Sequence, residues 1–344
     1  MTDDMIPPLL TIAIPTWNRA AYLRQNLDQL APQLMEVTHP VEILISDNCS
    51  SDESPGVVAD FIKKGVPIRY IRNTENIGSD CNIAQCFNEA AGQYVLLLGD
   101  DDLLVDGLLL WLVERLARQE FGVLCMRPYG FEECFRKEHP GGSGKEVVFE
   151  DGGQFLAQIG PLVTLISSCI INKKILDNVD ARDFCGGNLV QVHLVIRAAL
   201  TARQSLFVNR YCIACKRNNS GGYDFSRVFV EELGRIFDRY QSMGLTASAK
   251  RAFDTRMLLG YYPFYLFRQR LMQTSDDEST YVRFVARFGE RWLFRILLAP
   301  ILRLPCPLGV IWGGAMTLIG RLATGDFRRG LMFAWHRFVR MVRK

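Results

Sequence analysis

The chain has 344 residues, 49% of them hydrophobic and 22% charged, with a formal net charge of +3. That length allows two domains, or one large domain with an appendage, and a sizeable core. With 28 Gly, 14 Pro and an ordinary apolar fraction, it is not collagen-like, disordered or a small disulfide framework.

Charge is unevenly distributed. Residues 1–290 carry 30 Lys/Arg against 36 Asp/Glu, whereas residues 291–344 carry 10 Lys/Arg and only Asp326. An acidic body with a basic, hydrophobic tail differs from a uniformly basic nucleic-acid binder and points to an anionic membrane surface. Met1-Thr2-Asp3-Asp4 running into Pro7-Pro8 lacks the basic and apolar regions of a secretory signal, so a cytosolic start is expected. The ten cysteines are scattered, and Cys212-Ile213-Ala214-Cys215 is the one CxxC. It has no evident second pair or Cys/His partner, so reduced, mostly buried thiols are expected rather than zinc.

Strands and helices alternate from the start. The apolar run 9–14 predicts a strand ended by Pro15, and residues 19–34 have helical spacing, with Tyr22, Leu23, Leu27 and Leu30 on one side. A strand at 41–45, a helix at 54–64, a strand at 66–71, a helix at 79–91 and a strand at 94–98 follow. This order predicts an α/β fold with a mostly parallel sheet covered on both faces, and ligands in such sheets bind beyond the carboxyl ends of the strands. The polar clusters at 15–19, 46–52 and 99–102 all follow strand ends and so should share one crevice. Further on, a helix at 106–118, a strand at 122–127, a glycine-rich loop at 140–144, a helix at 152–160, a strand-like run at 165–171 and a helix at 188–202 are expected. Beyond the turn Asn218-Asn219-Ser220-Gly221-Gly222 the chain reads as largely helical.

Gly99-Asp100-Asp101-Asp102 is the sharpest chemical feature. Three consecutive carboxylates repel one another, and hard oxygen ligands favour Mg²⁺ or Mn²⁺ completed by phosphate and water. The alternative is a solvated acidic turn in which Asp102 or Asp106 caps the next helix.

The other two strand ends bear on that choice. Ile14-Pro15-Thr16-Trp17-Asn18-Arg19 resembles the opening strand and turn of family 2 glycosyltransferases, which have the GT-A fold. Ile45-Ser46-Asp47-Asn48-Cys49-Ser50-Ser51-Asp52 resembles the second motif of that family. Asn76-Ile77-Gly78, Asn82 and Ala90-Ala91-Gly92-Gln93-Tyr94 resemble the third block and lead into the acidic, DxD-type motif. The similarity runs in unbroken order over residues 9–105 and more weakly to about 220. It is nearest to a subgroup that includes abequosyltransferases of O-antigen assembly.

The resemblance implies a nucleotide-sugar transferase. Pro15, Thr16, Asn18 and Asp47 would line the nucleoside pocket, Asp52 and Asn76 would support its wall, and Gly78 would allow close backbone approach. Asp100, Asp101 and Asp102 would hold a Mg²⁺ or Mn²⁺ ion bridging the donor diphosphate. The first Asp of the usual three-residue unit is Gly99 here, which makes Asp101 the best-matched ligand. Asn48 replaces the second Asp of the second motif, and Cys81 stands where Arg is common. Inverting members place a catalytic Asp within Glu-Asp-x-x-Leu-x-x-Arg. Aligning Leu194 and Arg197 with that pattern puts Gln191 at the base position, and Gln cannot take a proton. A positioned base contributes about 10²–10⁴-fold, so His193 and Asp183 are candidate substitutes, against a buried, structural His193. Arg217, in the run Lys216 to Tyr223, could pair with diphosphate oxygens or sit in a plain connector.

Leu304 to Gly320 holds no charge. As a helix it would span about 25 Å, short of a hydrocarbon core of about 30 Å, and Pro300, Pro305 and Pro307 break the segment. An interfacial or re-entrant hairpin flanked by arginines is therefore expected, with a buried helical pair as the alternative. The expected layout is a GT-A domain over 1–222, a helical extension over 223–290 and a membrane-associating tail over 291–344. The expected activity is sugar transfer from a nucleotide-sugar donor to a lipid-linked saccharide acceptor at the cytoplasmic face of the inner membrane, without nucleic acid. A nucleotidyltransferase would want a glycine-rich loop after the first strand, which Pro15-Thr16-Trp17-Asn18 is not. A non-catalytic carbohydrate-binding or scaffold protein would account for the missing base.

Overall fold

The computed structural model describes residues 7–142, 144–217, 222, 224–273 and 277–323. The chain divides into two compact units, Met1–Phe155 with Leu162–Gly221, and Leu156–Pro161 with Gly222–Lys344.

In the first unit, β1 (Leu10–Thr16), α1 (Ala20–Leu34), β2 (Val41–Asp47), α2 (Ser54–Lys63), β3 (Ile68–Arg72), α3 (Ser79–Glu89) and β4 (Tyr94–Leu97) follow the expected alternation. The neighbours β3-β2-β1-β4 are all parallel. Parallel strands are covered on both faces, which is why these segments are nearly continuous apolar runs. Ile12, Ile14, Ile43, Ile45 and Leu96 share a core with Leu23 and Leu27 of α1 and Val57 and Phe61 of α2. The register sets Thr16 opposite Asp47, so β1 and β2 deliver their terminal polar residues at one level.

The rest of the unit comprises β5 (Asp102–Leu104), α4 (Leu108–Arg118), β6 (Val123–Phe131), β7 (Glu146–Phe149), α5 (Gly152–Ile159, which runs across the boundary between units), β8 (Cys169–Asn172), α6 (Val190–Thr201) and β9 (Ser205–Lys216). The strand order is β3-β2-β1-β4-β8-β6-β9-β5, with β7 beside β9. β8 pairs antiparallel with β4 and β6, and β9 pairs antiparallel with β5 and β7 but parallel with β6. The sheet is therefore mixed rather than mostly parallel: its first half is parallel throughout, and in its second half only β6 and β9 pair parallel.

Three strands escape the sequence pattern. β5 is a three-residue continuation of the acidic turn, β7 leaves Val147 and Val148 exposed, and Asn209-Arg210-Tyr211 interrupts the apolar rhythm of β9. The run 165–171 is not one strand. It begins as a 3-10 turn, Ile166–Ser168, that places Ser167 and Ser168 in the interior before β8 starts at Cys169.

The described second unit is helical. A π-helical turn, Arg227–Glu232, runs into α7 (Leu233–Gln241), followed by α8 (Ala247–Arg256), α9 (Tyr262–Met272), α10 (Asp277–Phe288), α11 (Ala299–Arg303) and α12 (Cys306–Ala323). Its core is aromatic: Phe237 stacks on Phe253 at 3.9 Å, and Tyr262 meets the edge of Phe284 at 5.0 Å. Residues 291–323 do not form a tail separate from 223–290. Phe294, Leu298 and Ile301 are buried within the same unit, and α12 packs on α9. Arg328, Arg329, Arg337, Arg340, Arg343, Lys344, the turn 218–221 and Tyr223 lie outside the described residues.

Candidate active site

The first two strand ends are tied together by side-chain to backbone bonds. Asn18, at φ 53°, accepts the Ser51 amide through Oδ1 at 2.8 Å, and its own amide donates to Ser50 Oγ at 2.9 Å. Asp52 accepts the Ala20 amide at the start of α1 at 2.9 Å and the Ser54 amide at 3.0 Å. Burial works to raise its pKa, but the bonds from Ser54 and Ala20 hold it below the ordinary value. Asp47 is fully buried, accepting the Ser50 amide at 2.8 Å and the Tyr70 hydroxyl at 2.6 Å. Its role in this structure is to fix the 47–52 loop. Pro15 precedes these residues on β1, opposite Ser46 of β2.

A second set of bonds ties β2 to the 73–78 loop. Asn48 donates to Asn76 Oδ1 at 2.7 Å and accepts the Ile77 amide at 2.9 Å, and Asn76 Oδ1 also accepts the Gly78 amide at 2.9 Å. This accounts for Asn at position 48, because a carboxylate could accept from Ile77 but could not donate to Asn76. Gly78 sits at φ 86°, where a side chain would be strained, and leads into α3. Asp80, in the first turn of α3, grips the amides of Gly186 and Asn188 at 2.8 and 2.7 Å and so positions the approach to α6.

The acidic turn after β4 has its three carboxylates in different settings. Asp100 accepts the Thr16 hydroxyl at 2.7 Å and Arg19 Nη1 at 3.3 Å, and the same guanidinium nitrogen is 3.3 Å from Asp101. Asp102 accepts the Ser167 hydroxyl at 2.5 Å, and Ser167 Oγ in turn accepts the Gly99 amide at 2.9 Å. Asn26 of α1 closes the turn from below, donating to the Asp102 carbonyl at 2.6 Å. Burial pushes the Asp100 carboxyl up to about 6 against the opposing pull of Arg19. Burial, reinforced by the neighbouring Asp101 charge, pushes Asp102 to about 7. Asp101 is the most exposed of the three carboxylates.

Comparison with known proteins places this arrangement. Residues 11–179 match the family described as "Glycosyl transferase family 2". The chain carries a family 2 glycosyltransferase domain. It is 26% identical over 304 residues to the abequosyltransferase RfbV of Salmonella typhimurium, covering 82% of this chain and 90% of the relative. A Campylobacter jejuni GalNAc(5)-diNAcBac-PP-undecaprenol β-1,3-glucosyltransferase is 31% identical over 109 residues, 31% of this chain and 34% of that one. Among solved structures, Staphylococcus aureus TarS 1–349 in complex with UDP-GlcNAc superimposes with a TM-score of 0.61 at 14% identity, over 93% of this chain and 89% of that chain. The GT-A fold is thus established, and the protein is a glycosyltransferase.

In the glycosyltransferase, Gln191, at the usual base position, and the candidate substitutes His193 and Asp183 occupy different environments. Gln191, on α6, is buried and donates to the Thr164 carbonyl at 2.8 Å, while its Oε1 has no hydrogen-bond partner among the described residues. His193 is buried and stacks flat on Phe184 at 4.4 Å. Asp183 is exposed on the short turn Ala181–Phe184. Arg217, at the end of β9, lies 3.5 Å from Glu138 and 3.6 Å from Glu132. These two carboxylates hold the guanidinium that the sequence offered to phosphate.

Among the described residues, no group of three His, Cys, Asp or Glu side chains is set to hold a metal ion. The donor chemistry nevertheless fits a hard cation. Asp101 Oδ1 and Asp102 Oδ2 both stand beside Gly99, each 3.2 Å from where a Cβ on it would lie, and carboxylate oxygens are the hard donors that Mg²⁺ and Mn²⁺ take. Mg²⁺ is typically held by one or two carboxylates together with substrate phosphates.

The sequence missed Arg19, Ser167, Tyr70 and Asp80. Arg19 was findable as the cation of the 15–19 cluster, one of the three strand-end clusters expected to share the crevice with the acidic turn. Ser167, Tyr70 and Asp80 act through contacts 23 to 108 residues away in sequence, which no local signal carries.

Proposed function

We propose that the protein transfers a sugar from a nucleotide-sugar donor to a lipid-linked saccharide, with inversion, at the cytoplasmic face of the inner membrane, in the assembly of an O-antigen-like surface polysaccharide. The observation that carries this reading is the junction of the β1 and β4 ends, where Thr16 and Arg19 both bond Asp100. It links the β1 turn to the acidic turn at the carboxyl edge of the sheet, where open α/β folds take their ligands. The relatives named for an abequosyl transfer and for an undecaprenol-linked acceptor support the chemical class.

Under this reading, Pro15, Thr16, Asn18, Asp47 and Asp52 shape the nucleoside wall, and Asn76 and Gly78 complete it. Asp101, with Asp102 and Asp100 beside it, would hold Mg²⁺ or Mn²⁺, and such an ion when bound stabilises the leaving diphosphate as a Lewis acid. Arg19 is placed to pair with the same diphosphate oxygens through its guanidinium. Arg217 serves the loop it ends, through Glu132 and Glu138. With Gln191 unable to accept a proton, His193 or Asp183 takes the proton of the acceptor hydroxyl.

The test is a thermal-shift screen of the full chain against UDP-, GDP-, CDP- and dTDP-sugars, with and without Mn²⁺. A donor at about 100 times its Kd adds about 2.7 kcal/mol of stability, so one metal-dependent hit is expected. The same flat melting curve with every donor would overturn the nucleotide-sugar reading.

A further inference from the structure

α12 has the reverse of the usual surface-helix pattern. Its buried stripe is Gly309, Gly313, Met316 and Gly320, and its outward stripe is Leu308, Ile311, Leu318, Ile319 and Leu322, each between 48% and 69% exposed. A helix on the surface of a protein in water turns its large apolar residues inward and its polar residues out. Here the glycines instead let the backbones touch. A Cβ on Gly320 would lie 2.0 Å from the Leu259 carbonyl oxygen, and one on Gly313 would lie 3.0 Å from Phe267 Cβ. Small residues at the helix contact are the arrangement of helices packed in lipid, where outward aliphatics carry no cost.

Charge indicates which lipid. The single charged residue of α12, Arg321, has its guanidinium 5.3 Å from the centre of the Phe264 ring, and the outward stripe has no charge at all. The sequence around the helix is rich in cations. Residues 291–344 carry 10 Lys/Arg against Asp326, a net +9. An open cleft of about 490 Å³ at the turn between α11 and α12 is lined by Arg270 and Arg303 together with Glu278. Basic residues beside an apolar face are attracted to anionic headgroups by about 1 kcal/mol each.

We propose that α12 lies in the plane of an anionic bilayer, its Leu308 to Leu322 stripe among the acyl chains and Arg270 and Arg303 at headgroup level. The proposal rests on the membrane-face reading above and sharpens it to one helix face. Crossing is disfavoured because the glycine face is already packed on α9 and on the π-helical turn Met257–Tyr261 that leads into it, and 18 residues span about 27 Å. Interfacial helices bury their apolar face about 5–10 Å deep, which this single stripe can do.

The experiment is co-sedimentation of the full chain with vesicles of phosphatidylethanolamine and phosphatidylglycerol, and with vesicles of phosphatidylcholine alone. The wild type should bind the anionic vesicles, and the double variant Ile311→Gln/Leu318→Gln should bind at least about tenfold more weakly while keeping its melting temperature. Equal binding by the variant, or no sedimentation of the wild type with either vesicle, overturns the proposal. A wild-type dimer in lipid-free buffer that the variant dissociates overturns it too, because a second copy would then cover the stripe. Donor-induced thermal shift is measured on both proteins. Vesicle binding without any donor shift would count against the transferase reading and leave the lipid face standing.

Discussion

Ser167 bridges two backbone-distant parts of the acidic turn, giving its hydroxyl proton to Asp102 at 2.5 Å and receiving the Gly99 amide at 2.9 Å. Both partners are more than 60 residues away in sequence. Ser167→Ala leaves a buried carboxylate and a buried amide without this partner, a loss of about 1–3 kcal/mol. Urea titration should show that loss, and an unchanged midpoint would mean that water replaces the hydroxyl at no cost.

Arg19 pairs with Asp100 and Asp101 at once and offsets one of their two charges. Arg19→Ala should raise the donor KM, and Arg19→Lys should recover part of it, because the lysine restores charge without the planar fork. Steady-state kinetics on the pair would check this; an unaltered KM in Arg19→Ala would remove Arg19 from donor binding.

Asp101→Asn should abolish Mn²⁺-dependent donor binding while the melting temperature without ligand stays within a few degrees of wild type. Calorimetric titration of donor with and without Mn²⁺ reads this directly. Undiminished binding would take Asp101 out of the metal site.

Burial lifts Asp100 to about 6 and Asp102 to about 7, against about 3.9 for an exposed Asp. Between those values the folded chain holds protons that the unfolded chain has released. The stability these two groups contribute is therefore present near pH 4 and lost as pH rises toward about 7. Asp102→Asn should remove its share of that decline. Metal-free wild type and variant, compared by denaturant midpoint at about pH 4.5 and about pH 7.5, should differ in slope, and parallel profiles would contradict the assignment.

Asn48→Asp should destabilise the first unit by about 1–3 kcal/mol, since it removes the donor to Asn76 and puts a charge at a buried position. The gain in exchange of backbone amides at 76–78 would locate the damage.

The parallel half of the sheet was legible because each of its strands is an apolar run closed by a polar cluster, and that periodicity is local information. The positions of Thr16, at the end of β1, and of Asn18, Asp52 and Asn76, in the loops that follow strands, were legible for the same reason. Asp47 was singled out correctly as a strand-end residue, but its burial against Tyr70 depends on β3 lying beside β2, a pairing that no spacing reveals. Likewise β9 hid behind a polar interruption, and with it the fact that Arg217 ends a strand facing Glu132 and Glu138. The inverted stripe of α12 needed coordinates, because its composition alone reads as uniformly apolar.

Gly99 limits what position 99 can hold. The space above the glycine is occupied, and a new Cβ would meet Asp101 and Asp102 oxygens at 3.2 Å and Ser167 Oγ at 3.5 Å. An aspartate there would force a further carboxylate among two that are already crowded. The Asp101 and Asp102 side chains would have to give way before any side chain could be admitted, so the turn is fitted to glycine.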